Sequence, residues 1–204
     1  MIKVLVLLFF VFSIISSYAQ DEKSKALDQI ATCGALSYIS TALYVPNEAI
    51  EKIEAFDSEA KKYLKNDQAN LRRASDAFAL RAGFFQDLYF DMASDSKLTN
   101  GQYSSILEKK YQYFKNTILN DDSYAVTLAS LYPKCQAYMD ALNQISMSDK
   151  KTNFVAISIK KINEVSKRNF VANDQQVGSM VIAGSHWKYM DFIRTKSFKE
   201  ILKK

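Results

Sequence analysis

Proline and glycine are nearly missing from this chain. Two prolines and five glycines in 204 residues are too few turn formers for a β protein of short strands, and they favour long helices. Histidine occurs once, at His186, and cysteine twice, at Cys33 and Cys135. One imidazole and two thiols fall short of the ligand set of a zinc or copper site. No Cys-x-x-Cys-His run is present to attach a haem. No serine stands in a Gly-x-Ser-x-Gly elbow. Gly178 and Gly184 lack the spacing and the lysine of a phosphate cradle. Neither a cofactor nor a metal is expected, and no catalytic constellation is visible. His186, beside Trp187, reads as a packing or surface residue.

Long hydrophobic runs are also absent, save one. After Lys3, Val4 to Phe12 is unbroken apolar, and the chain then turns small and polar at Ser16, Ser17, Tyr18 and Ala19. Ser17 and Ala19 occupy the positions where a signal peptidase needs small side chains. The run is short for a bilayer span of ~20 residues. Residues 1–19 are therefore expected to be a cleavable signal peptide, leaving a soluble mature chain that is secreted or periplasmic. An oxidising compartment makes a Cys33–Cys135 disulfide the expected fate of the two thiols.

Charge divides the mature chain. Residues 20–146 hold 14 Lys and Arg against 17 Asp and Glu, a net of −3. Residues 147–204 hold 12 against 5, a net of +7. The division predicts a helical bundle over 20–146 and a basic, helical C-terminal extension over 147–204 that packs on it. The basic side chains Lys160, Lys161, Lys167, Arg168, Lys188, Arg194, Lys196, Lys199, Lys203 and Lys204 are either a solvated face or a contact for an anionic surface.

Apolar residues recur at helical spacing. In Asp21–Tyr44 one stripe holds Ala26, Ile30, Cys33, Ser37, Ser40 and Tyr44, and Pro46 stops the helix so that Asn47 can cap the next. Asn47–Lys65 reads as one helix with Ile50, Ile53, Phe56, Ala60 and Leu64 inward. Asn66 and Asp67 read as a break and a new cap. Gln68–Ser94 carries two opposed stripes: Ala74, Phe78, Phe85, Leu88 and Met92, then Leu80, Gly83, Phe84 and Phe90. A helix apolar on two sides is usually buried between partners, so the C-terminal third is expected to cover it. After a loop over Asp95–Gly101, Gln102–Leu119 turns Tyr103, Ile106, Leu107, Tyr113, Phe114 and Ile118 inward. A turn at Asn120–Ser123 leads to a helix over Ser123–Ile145, with Cys135 mid-stripe and Pro133 on the wet side. Phe154 to Val165 leans helical, 167–176 reads as a loop, and Val177–Lys204 as a last helix. The expected fold is an all-α, disulfide-stapled bundle of four or five helices with the basic extension.

Candidate binding residues follow from what that pattern leaves unexplained. Asp87 lies on the second apolar stripe, where a carboxylate would be partly buried and drawn toward its neutral form, as a general acid, a ligand contact or a simple ion pair. Arg81 at the edge of the first stripe shares the ambiguity. Tyr38, Tyr132 and Tyr138 cluster near the cysteines and either line a small-molecule groove or cap the core. The sequence is thus read first as a non-enzymatic module binding a partner or small ligand. Anionic-surface binding through 147–204 comes second, and an enzyme using Asp87 third.

Overall fold

The computed structural model describes residues 2–93, 100–121, 123–146, 149 and 153–201, with residues 2–19, 100–103, 198, 199 and 201 entering as backbone only. Of the expected loop over Asp95–Gly101, residues 95–99 lie outside the described residues, as do 147, 148, 150–152, Lys203, Lys204 and the Lys199 side chain, while Asn100 and Gly101 are already helical.

No strand occurs among the described residues. The chain runs through α1 (Ile2–Ser40), a 3-10 turn (Thr41–Leu43), α2 (Asn47–Ile50), α3 (Ser58–Asn66), α4 (Gln68–Ala93) and α5 (Asn100–Asn120). It continues through α6 (Tyr124–Ala129), α7 (Leu131–Asn143), α8 (Phe154–Ser166) and α9 (Asp174–Ile201). The bundle is all-α and disulfide-stapled. Cys33 of α1 is bonded to Cys135 of α7, with their Cα atoms 5.5 Å apart across 102 positions of sequence.

The helix enclosed on several sides is α1, not α4. Its predicted stripe is buried at Ala26, Ile30, Cys33, Ser37 and Ser40, but so are Leu27, Ala31, Ala35, Leu36 and Ile39 around it. Helices α4, α5, α7, α8 and α9 all pack against it. Small residues allow this: Ala26, Ala31, Gly34 and Ala35 carry little hydrophobic signal yet let neighbouring helices come close. A Cβ built on Gly34 would meet the Phe85 side chain at 3.5 Å, an ordinary contact that shows how near α4 lies.

On α4 the first stripe is the buried one. Phe85, Leu88 and Met92 are in the core with Tyr89, and each such side chain contributes about 1.5–3 kcal/mol by leaving water. The second stripe corrects the sequence reading. Leu80 is 78% exposed, Gly83 faces open space and Asp87 is exposed. The C-terminal third packs chiefly elsewhere: α8 on α7 and α1, and α9 on α6, α5, α1 and the 3-10 turn. Tyr113 is likewise 64% exposed, and Tyr111 faces inward in its place.

Two expected helices are broken. Asn47–Lys65 divides into α2 and α3 because Asp57 caps α3 with its carboxylate, accepting from the Ala60 N–H at 2.8 Å. Ile53 and Phe56 keep their inward positions from the intervening turns. Pro46, rather than Asn47, stands at the N-cap of α2, and its carbonyl accepts from Ala49 and Ile50. Ser123–Ile145 divides at Ser130 into α6 and α7. Pro133 has no N–H for the Ala129 carbonyl four residues back, so it belongs in the first turn of a new helix. It is half-buried rather than on the wet side. The Asn120–Ser123 turn is held by Asp121, which accepts from both the N–H and the hydroxyl of Ser123 at 2.8 Å.

Candidate functional site

The end of α1 is a knot of polar contacts between distant parts of the chain. The last carbonyls of a helix have no partner within it. Here Trp187 donates Nε1–H to the Ile39 carbonyl at 2.9 Å, and His186 Nδ1 meets the Ala42 carbonyl at 3.0 Å. Ser75 donates to the Thr41 carbonyl at 2.6 Å, and Gln68 to that of Val45 at 3.0 Å. Since a carbonyl only accepts, His186 carries its proton on Nδ1. Burial holds the imidazole below the ordinary histidine range, against a smaller upward pull from the Ala42 and Tyr44 carbonyls. The lone histidine and tryptophan therefore anchor α9 on the 3-10 turn and on the end of α1 respectively.

Of the candidate residues, Tyr132 and Tyr138 are core residues. Tyr132 shares a 2.6 Å hydrogen bond with Ser40, and burial pushes its phenol up to about 12. Tyr138 donates to Gln29 at 2.9 Å, lies 2.8 Å from the Ser166 hydroxyl, and is also pushed up to about 12 by burial. Arg81 lies over the Phe78 ring, 5.4 Å from its centre, and Phe78 packs on Tyr132. Asp87 stands exposed on the outer side of α4, where Leu80 and Gly83 of the stripe that was to bury it are uncovered.

Among the described residues, Tyr38 lines a groove. It is 52% exposed, and its ring meets that of Tyr111 edge-on, 5.2 Å between centres at 80°. The groove, about 340 Å³, lies between α1, α4 and α5. Gly34 and Ala35 of α1 form its floor, Ala82, Gln86 and Phe90 one wall, and Leu107, Glu108 and Tyr111 the other. Tyr111 also packs edge-on to Trp187, with ring centres 6.1 Å apart. Burial is the main cause that raises the Tyr111 phenol, followed by Tyr38, with Arg194 pulling the other way. Gln112 donates to the Glu108 carboxylate at 2.6 Å from the next turn of α5. The sequence signal was weak here, because no single stripe contains the lining: it comes from three helices and includes glycine and alanine. Phe90 is the one second-stripe aromatic that finds a place in it.

The basic residues are spread over two helices and the segment between them. Lys160, Lys167, Arg168, Arg194 and Lys196 are exposed, Lys161 half-buried, and Lys188 lies over the Tyr124 ring at 5.5 Å. Among the described residues no group of three His, Cys, Asp or Glu is placed to hold a metal ion, and no helix is long and apolar enough to cross a membrane. No protein-family model matches this chain, and no curated protein and no solved structure matches it either.

Proposed function

We propose that this chain is an exported, disulfide-stapled binding protein whose ligand site is the groove between α1, α4 and α5. The observation that carries the reading is the groove itself: three aromatic rings, Tyr38, Phe90 and Tyr111, around a floor of glycine and alanine. Apolar concavities with a few polar groups at the rim are the usual form of a small-ligand site. Export is supported by the Cys33–Cys135 bond, which persists in oxidising compartments, and by the leader-like pattern of residues 1–19. Trp187 is the only tryptophan of the chain and touches Tyr111, so its fluorescence reports on the groove wall. A small-molecule library titrated against the purified protein should yield ligands that shift this emission. Ala82→Phe, which fills the groove from its half-buried wall, should abolish the shift. Ligands that bind Ala82→Phe unchanged would place the site elsewhere.

A second reading, contact with an anionic surface, is favoured by the outer part of α9. Met190, Phe192 and Ile193 are 41%, 63% and 37% exposed, beside the exposed Arg194 and Lys196. Apolar side chains among cations are what an interfacial helix presents to anionic headgroups. The reading predicts sedimentation with anionic but not neutral vesicles, weakening with salt, and loss of binding in Phe192→Ser.

A further inference from the structure

We propose that the groove between α1, α4 and α5 takes an organic cation, an amine or quaternary ammonium attached to an apolar body. The proposal rests on the reading of the groove as a ligand site. Its walls fix the chemistry. Three aromatic rings line it, Tyr38 and Tyr111 packed edge-on at 80° and Phe90 from α4. Ring faces carry the negative end of the aromatic quadrupole and attract a cation within about 6 Å.

Charge gives the second, independent argument. Among the described lining residues Glu108 is the one charged side chain, and none is a lysine or arginine. Its carboxylate is held by Gln112 from the same face of α5, which orders it beside Tyr111. The lining residues all fall within the part of the chain whose net charge is −3, although the whole chain is basic at +5. An anion entering here would meet the Glu108 carboxylate, and the cation that acts on a lining residue, Arg194 on Tyr111, is itself outside the lining. A cation finds the carboxylate at the rim and three aromatic rings in the lining, and its apolar body covers Gly34, Ala35 and Leu107. Gln86 and Ser104 supply neutral polar contacts at the edge.

Three probes of one shape separate the possibilities: benzylamine, an ammonium at neutral pH, benzyl alcohol and benzoate. Titrations of the full disulfide-bonded protein, read by calorimetry and Trp187 emission, should give benzylamine about tenfold tighter binding than the alcohol, with benzoate weakest. Glu108→Gln should bring the amine and the alcohol close to parity, and Tyr38→Ala should weaken the amine more than the alcohol. Equal affinities for amine and alcohol, or a preference that survives Glu108→Gln, would overturn the cation assignment and leave the groove a neutral-ligand site. Failure of all three probes to bind would overturn the assignment and the groove reading together.

Discussion

The indole of Trp187 donates to the carbonyl of Ile39, 148 positions away in sequence and 2.9 Å away in space. The bond caps the end of the most enclosed helix and fastens α9 to it. Trp187→Phe keeps an aromatic ring, though a smaller one, and leaves a part-buried carbonyl without its donor. Such a group costs about 1–3 kcal/mol. Urea unfolding followed by far-ultraviolet circular dichroism should show that loss as a lower midpoint with an unchanged slope.

His186 sets a pH dependence whose sign follows from its burial. The folded protein holds the imidazole neutral, with its proton affinity below the ordinary value of 6.5. As pH falls through that ordinary value, the unfolded chain takes up a proton that the folded one refuses. The stability contributed by the neutral side chain is therefore present above about pH 6.5 and lost below it. The loss should reach at most about 1.4 kcal/mol per pH unit. Denaturation midpoints measured from pH 8 to pH 5 should fall in the wild type, and more shallowly in His186→Gln. Parallel curves would show that other groups dominate acid destabilisation.

Reduction of the disulfide should be costly. A bond that spans 102 positions removes about 4–5 kcal/mol of chain entropy from the unfolded state in the loop-closure model. A Cys33→Ser, Cys135→Ser double variant should unfold at lower denaturant by roughly that amount. The reduced wild type should behave like it.

Two helical glycines should respond oppositely to alanine. Gly83 of α4 faces open space, and Gly83→Ala should stabilise by about 0.5–1 kcal/mol through reduced chain entropy. Gly184 of α9 lies against the Tyr124 ring, into which a Cβ would run. The Tyr124 hydroxyl is also engaged, donating to the Val181 carbonyl at 3.1 Å. Gly184→Ala should therefore destabilise, by about 1–3 kcal/mol for overpacking. Thermal melts of the two variants would test the contrast directly.

The stability of the bundle should not depend on residues 1–19. Among the described side chains the buried core begins at Ala26, and Asn163 of α8 reaches back to the Glu22 carbonyl at 3.1 Å. A protein starting at Gln20 should match the longer chain in its unfolding midpoint. Intact mass after export should show loss of residues 1–19 and, relative to the reduced form, two hydrogens fewer.

Helical class, the inward stripes of α1, α7 and the first stripe of α4, and the pairing of two seam cysteines were legible in the sequence. Each depends on local periodicity, on the scarcity of turn formers, or on there being only one possible disulfide. The tertiary structure decided what periodicity cannot express. Asp57 and Pro133 broke two apparently continuous helices, because a cap and a missing N–H act at one position and leave the apolar spacing intact. Small residues made α1 the centre, although alanine and glycine add little to a hydrophobic stripe. The exposure of Asp87 followed from where the C-terminal third packed. The groove arose where Tyr38, Phe90 and Tyr111 came together from three helices, a meeting fixed by helix packing and not by the spacing of residues within any one of them.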